Sequence, residues 1–166
     1  YGFETEEIPR QEIDDIAVSS TKIRQALNIG DISKANHYLR RPYAIEGTIV
    51  HGDKIGRTLG YPTANIQCED YKLIPMDGVY AVIAEIDGQK NKAMLSIGFR
   101  PTVNGATRTI EVHIFNFSKD IYQKKIGIHF VKWIRKEEKF GNLEELKIAM
   151  DQDRETALTI LLDSLI

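Results

Sequence analysis

The sequence predicts a mainly β protein with helices at both ends, built around a closed antiparallel barrel, and three observations predict it. Segments rich in β-branched and aromatic residues, with partial two-residue alternation, follow one another between residues 44 and 134. Gly- and Pro-containing loops separate them, and Asp87-Gly88 stands between two of them as a hairpin signal. Before residue 42 and after residue 141 the apolar period becomes helical. An antiparallel sheet of this many strands avoids an exposed edge by closing on itself.

Taken in order, Ser20 or Thr21 caps an expected helix over 22–28, and Gly30 stops it. Asp31 or Ser33 caps a second helix that ends near Leu39. Pro42, after Arg40-Arg41, opposes helix at itself and at the residue before it. The boundary between a first segment, 1–42, and the main domain, 43–166, is therefore placed there. Strands are expected over 44–50, 79–86, 92–97, 110–117 and 126–134. Asn142 caps a helix carrying Leu143, Leu146, Ile148 and Met150, and a second helix runs through Ala157, Ile160, Leu161 and Leu165. Their apolar faces are expected to pack on the barrel.

At 166 residues and 42% hydrophobic content the chain suits one globular domain with a real core and a smaller appendage. A net charge of -2 argues against a long polyanion such as duplex DNA, while a small anionic ligand needs only a local cluster of donors. Cys68 is the one cysteine, so no intrachain disulfide forms, which fits a reducing, cytoplasmic compartment. No apolar run is long enough to cross a bilayer, and the opening residues are acidic rather than an export signal. The chain starts at Tyr1 without methionine, and it is read as a fragment of a longer polypeptide.

The most informative stretch runs from Val50 to Asn65. Gly52, Gly56 and Gly60 fall within nine residues, with Lys54 and Arg57 between them. Such a loop either brings its amides close to phosphate oxygens or is a plain turn between strands, and it lacks the spacing of a Walker A loop. Pro62 then fixes the backbone before Thr63 and Asn65, which lie on one face of an extended segment. These two neutral oxygens suit a Mg²⁺ ion whose other ligands are phosphates and water, or they satisfy turn amides. In Ile110-Glu111-Val112-His113-Ile114-Phe115 alternation sets Glu111, His113 and Phe115 on one face. Glu111 reads either as the base that accepts a proton from an attacking alcohol or as a solvent-facing acid on a half-exposed strand. His113 has no second histidine at metal-ligand spacing and receives no catalytic role. Arg135 either forks onto a phosphate or belongs to a solvated run, Arg135 to Lys139, with Trp133 or Phe140 placed to meet an aromatic ring.

These pieces, in this order, resemble the riboflavin kinase (flavokinase) family from about Tyr43 to the C-terminus. The resemblance rests on Gly52, Gly56-Arg57-x-Leu59-Gly60, Pro62-Thr63-Ala64-Asn65, Gly78-Val79-Tyr80, Ile97-Gly98-x-x-Pro101-Thr102, Glu111-Val112-His113-Ile114 and Ile134-Arg135. It implies a six-stranded Greek-key barrel and a kinase that uses ATP with Mg²⁺, or another divalent cation, to convert riboflavin to FMN. It further implies that Gly52 and Arg57 lie against ATP phosphates, that Thr63 and Asn65 hold the metal–nucleotide, and that Glu111 is the base on the terminal ribityl hydroxyl. By the same likeness Arg135 contacts the phosphate side of the flavin product, and the loop and helix after it cover the isoalloxazine ring. Asn116 departs from the family's common Asp, which removes any charge-based role there.

Residues 1–42 look like the end of the adenylyltransferase (FAD synthetase) module that precedes this kinase in prokaryotic enzymes, through Ser19-Ser20-Thr21-x-Ile23-Arg24. The module's histidine motif is absent from this stretch, so the fragment itself is expected not to make FAD. Two rival readings have other requirements. A non-catalytic flavin-binding or sensing barrel needs neither base nor metal pair. An oligonucleotide-binding barrel would use Lys119, Lys124, Lys125, Lys132, Arg135 and Lys136, against an unhelpful net charge. No nucleic-acid or membrane partner is expected.

Overall fold

The computed structural model describes residues 12–13, 16–52, 55–102 and 105–162. Two short strands, β1 (Glu12–Ile13) and β2 (Ile16–Ala17), pair with each other ahead of two helices, α1 (Ser20–Asn28) and α2 (Ile32–Leu39). Then follow β3 (Tyr43–Val50), the short α3 (Ile55–Thr58), β4 (Ala64–Cys68), β5 (Gly78–Ile86), β6 (Gln89–Thr102), β7 (Gly105–Ile114) and β8 (Lys125–Arg135). One long helix, α4 (Leu143–Ile160), follows. Strands β3 to β8 close into an antiparallel barrel in the order β3-β4-β7-β6-β5-β8, as the closed-barrel reading expects.

The barrel interior is filled from alternate positions of every strand, including Ile45, Ile66, Tyr80, Leu95, Val112 and Phe130. Tyr80 and Phe130 are wholly buried and meet edge to face at 5.1 Å, the arrangement that sets a positive ring edge on a negative ring face. Strand β5 is an apolar run because both of its faces are covered: Tyr80, Val82 and Ala84 point inward, while Ala81 and Ile83 lie in a second cluster with Ala157 and Leu161. Helix α4 thus closes part of the barrel's outer wall.

Helices α1 and α2 bury Ala26, Leu27, Ile32 and Ala35 in the same cluster as the barrel interior. Asn36 joins them to the sheet, donating through Nδ2 to the Phe130 carbonyl at 2.8 Å and accepting from the Tyr43 amide at 2.7 Å. Residues 20–39, assigned by chemistry to a segment ahead of the main domain, therefore share its core.

Several elements differ from expectation. The cap of α1 is Ser19, whose side chain accepts from the Lys22 amide, one residue before the earlier of the two candidates. Asp31 caps α2. Strand β4 is absent from the sequence-based set, because five residues with Asn and Gln among them carry little alternation. Strand β6 extends to Thr102 past Gly98 and Pro101, and β7 ends at Ile114, with Asn116 turning at φ 53. A short polar side chain, Asn as readily as Asp, suits that left-handed turn. Asp87 and Gly88 have φ values of 51 and 75, as the hairpin signal between β5 and β6 requires. The two helices expected in the tail are one continuous helix to Ile160, because nothing between Met150 and Ala157 breaks it; Leu165 lies outside the described residues.

Asn36→Ala leaves the Tyr43 amide and the Phe130 carbonyl without their partner. It should lower unfolding stability by about 1–3 kcal/mol, read as a lower denaturant midpoint in equilibrium unfolding.

Candidate active site

One row of paired residues crosses all six barrel strands. Val50 pairs with Asn65, Asn65 with Glu111, Glu111 with Ser96, Ser96 with Val79, and Val79 with Arg135. Directly opposed residues on neighbouring strands project to one face. Ile110 and Val112 fill the interior, so this row faces outward. Residues far apart in sequence meet there on a rigid wall.

Glu111 is the centre of the row. Thr63 Oγ1 donates to its Oε2 at 3.1 Å, and the Arg100 guanidinium pairs with its Oε1. Its side chain keeps 22% exposure, and that of Arg100 31%, so the pair is reachable from solvent. All three side chains line one cavity of about 330 Å³. Its apolar wall includes Leu59, Met94, Phe140, Leu146 and Met150, and its polar groups include Ser96, His113, Arg135 and Asp153.

The segment ahead of β4 is pinned at both ends of the cavity. Tyr61 is buried and its hydroxyl donates to Asp151 of α4; burial, with Asp151 as the next cause, pushes the phenol up to about 12. The Pro62 carbonyl accepts from His113 Nδ1 at 2.8 Å, which requires the proton on that nitrogen. Burial holds the imidazole below its ordinary value, only partly opposed by the Pro62 bond, so the ring is neutral near pH 7. Held by Tyr61 and Pro62, Thr63 has its hydroxyl directed at Glu111.

Gly52 and Asn65 form the other flank. A Cβ at Gly52 would lie 1.9 Å from Asn65 Nδ2, so only glycine lets the loop backbone approach that amide. Asn65 stands opposite Glu111 in the pairing, while its side chain packs toward Gly52 and lines a different depression from Thr63. The backbone of Arg57 belongs to α3; its side chain, like Lys54, lies outside the described residues.

Arg135 lines the cavity, with its fork on Asp153: Nε to Oδ1 and Nη2 to Oδ2, both at 2.8 Å. This pairing raises the guanidinium's pKa and ties α4 to the end of β8, and Phe140 lies 5.6 Å from the guanidinium carbon. Of the cations that suggested an oligonucleotide groove, Lys124 pairs with Asp87 and Arg135 with Asp153.

Of the residues named from sequence, the fold places Glu111, Thr63 and Arg135 around one cavity, whereas Asn65, packed toward Gly52, lines a different depression. Sequence reading passes over three other lining residues, Arg100, Ser96 and Asp153. For the first two a signal was present: with Leu95 and Ile97 inside, alternation sets Ser96, Gly98 and Arg100 on the outer face of β6, the face of Glu111. Asp153 carries no such signal, since an acid in an amphipathic helix reads as a solvated charge.

No group of three or more His, Cys, Asp or Glu side chains able to hold a metal occurs among the described residues. Thr63 and Asn65 carry neutral oxygens of the kind a hard cation takes beside phosphate and water, but here they line different depressions, Thr63 beside Glu111 and Asn65 beside Gly52.

A closed barrel that carries an acid, a hydroxyl and a guanidinium in one partly apolar cavity on its outer wall has the make-up of a small-molecule site. A family model described as riboflavin kinase, or flavokinase, matches residues 39–161. Proteins described as bifunctional riboflavin kinase/FMN adenylyltransferase are 40% identical to this chain in Pseudomonas fluorescens, over 92% of the chain and 49% of that protein. The one from Bacillus subtilis is 40% identical over 87% and 46%. The chain spans about half the length of the curated relatives it matches. Among solved structures, one described as a macrolide-efflux protein from Streptococcus pneumoniae aligns with a TM-score of 0.83 and 39% identity over 90% of this chain and 49% of that one. Riboflavin kinase from Trypanosoma brucei aligns at 0.51 and 24% identity over 74% and 78%, a likeness of fold. The chain belongs to the riboflavin kinase family. Among the described residues no helix is long and apolar enough to cross a membrane.

Because folding lowers the pKa of His113 below its ordinary 6.5, the unfolded chain binds its proton more readily. The stability contributed by the neutral ring is complete above that value and is lost as pH falls through the folded one. The stability gap between wild type and His113→Gln, measured by urea unfolding at roughly pH 7.5 and pH 5, should therefore narrow on acidification.

Proposed function

We propose that the domain transfers the terminal phosphoryl group of ATP to the terminal ribityl hydroxyl of riboflavin, giving FMN and ADP. The observation that carries this reading is the contact between Thr63 and Glu111 inside a cavity whose far wall is apolar. A second cavity of about 270 Å³ shares Thr63 and is lined by Phe117, Ile121, Tyr122 and Lys119. Two cavities that share Thr63 in their linings suit two substrates that must exchange a group. The isoalloxazine ring fits the first, between the barrel wall and α4, with its ribityl chain running toward Glu111. The nucleotide fits the second, with its phosphates along the Gly52–Gly60 loop.

In this mechanism the acceptor oxygen attacks the terminal phosphorus while the bond to the ADP oxygen breaks, and the hydroxyl proton passes to the carboxylate of Glu111. Thr63 and Asn65 are the residues that would hold a divalent cation with the nucleotide, and the cation would offset charge on the phosphates. Gly52 and Arg57 bear on the phosphates, and Arg135, now on Asp153, supplies a fork near the flavin's phosphate end. Most of the rate enhancement comes from alignment and charge neutralisation in a cavity that limits water.

Residues 1–42 are assigned in this reading to the end of an upstream adenylyltransferase module, in keeping with the bifunctional description of the relatives, and the cytoplasm is the expected compartment. Purified chain incubated with FMN and ATP is accordingly expected to form no FAD.

Riboflavin, ATP and Mg²⁺ mixed with the chain should yield FMN and ADP by chromatography; a flavin-binding barrel without catalysis would return riboflavin unchanged. Glu111→Gln should lower turnover by on the order of 10²-fold or more with flavin affinity nearly intact, and near-normal turnover would refute the base assignment. Thr63→Ala should shift the Mg²⁺ dependence of the rate to higher concentration, and an unaltered Mg²⁺ titration counts against its metal role.

A further inference from the structure

Arg100 lies on the outer face of β6, two residues past Gly98 and four past Ser96, the partner of Glu111. To reach the acid its side chain must run back along the strand, over the position of Gly98. In this arrangement the Glu137 carboxyl group fills that position: a Cβ there would sit within 2.1 Å of all three of its atoms, so a side chain at 98 would have to displace the tip of Glu137. Glu137 in turn accepts from the Phe99 amide at 3.2 Å.

The cavity presents five other charged or titratable side chains besides Arg100 and Glu111: His113 on β7, Arg135 at the end of β8, Glu137 and Glu138 after it, and Asp153 on α4. His113 donates to Pro62, and Arg135 is forked on Asp153. Arg100 is the cation in contact with Glu111 among the described residues. The pair is part-buried and lines the cavity, where it can bear on a bound ligand as well as on folding.

Resting on the reading of Glu111 as the base, we propose that Arg100 is a positioning residue: it clamps Oε1 so that Oε2 is presented to the acceptor hydroxyl. Thr63 marks the position that hydroxyl takes, since it already donates to Oε2 at 3.1 Å. When the acceptor arrives it replaces Thr63 at Oε2, and the Thr63 hydroxyl turns to the metal–nucleotide, as its proposed metal role requires. The proton moves from the acceptor to Oε2, and Arg100 exchanges none. A planar guanidinium can hold the carboxylate's orientation in a way an ammonium cannot, because it is a rigid array of donors rather than a point charge.

The test is steady-state kinetics with riboflavin and Mg²⁺-ATP on Arg100→Gln, Arg100→Lys, Arg100→Ala, Glu111→Gln and the Arg100→Gln/Glu111→Gln double variant. Arg100→Gln should lower kcat by about tenfold or more with KM for riboflavin changed far less, and Arg100→Lys should recover only part of it. Added methylguanidinium should raise kcat of Arg100→Ala in a saturable way, and methylurea, of similar shape without charge, should not. The double variant should be no slower than Glu111→Gln, because a residue that acts through another has nothing left to orient. The proposal is overturned if Arg100→Gln keeps kcat within twofold of wild type, if methylurea rescues as well as methylguanidinium, or if the two losses multiply. A fully active Glu111→Gln instead removes the base assignment itself, whereas an inactive Glu111→Gln beside an unimpaired Arg100→Gln removes only the role of Arg100. Should Arg100→Gln fail to fold, Arg100→Lys and the rescue of Arg100→Ala carry the same decision.

Discussion

The pairing of β4 with β7 is the join on which the site depends. It is short, Ala64 with Val112 and Asn65 with Glu111, yet it links the β3–β4 arm to the β5–β6–β7 sheet and so closes the barrel. A one-residue slip in that register would turn Glu111 into the core and Val112 outward. The buried Val112 and Ile110 on one side, and the Pro62 carbonyl held by His113 on the other, hold the register against such a slip. The hydrophobic pattern of one strand thereby determines where a carboxylate stands relative to a hydroxyl 48 positions away in sequence.

The second constraint is the docking of α4. Ala157 and Leu161 fit against the outer faces of β5 and β6, and two polar ties flank that contact: Tyr61 with Asp151, and Arg135 with Asp153. The Asp153 side chain is 6% exposed, so removal of Arg135 would strand a buried charge. The same pair occupies the fork that the family resemblance directs toward the flavin's phosphate end. In the proposed mechanism Arg135 thus has two partners available, one that holds the helix over the cavity and one that arrives with the ligand.

Much of the architecture was legible because it follows from burial. The alternation in 110–114, the apolar run of β5 and the Asp87-Gly88 hairpin each express a local rule that the barrel satisfies. The unread parts are those where a long-range contact overrules local chemistry. Strand β4 exists because β3 and β7 hold it from both sides, not because Ala64 to Cys68 is a strong strand sequence. Helices α1 and α2 end before Pro42, a sound local boundary, but their apolar faces continue into the barrel core, which no chain-local signal reports. At the site, motif spacing led to Glu111, Thr63 and Arg135, while Arg100 lay in the two positions of the Gly98 motif left undefined. Following the inward positions Leu95 and Ile97 one step further would have exposed it.

The reading of the domain as a phosphotransferase comes down to whether the acceptor hydroxyl and the Thr63–Glu111 contact occupy the same place. A crystal structure of the chain with riboflavin, Mg²⁺ and a non-hydrolysable ATP analogue measures that directly. The account predicts the terminal ribityl oxygen about 2.6–3.2 Å from a Glu111 carboxylate oxygen, with the analogue's terminal phosphate beside Thr63. A flavin bound with that oxygen directed away from Glu111, or a nucleotide whose phosphates lie away from Thr63, would contradict it.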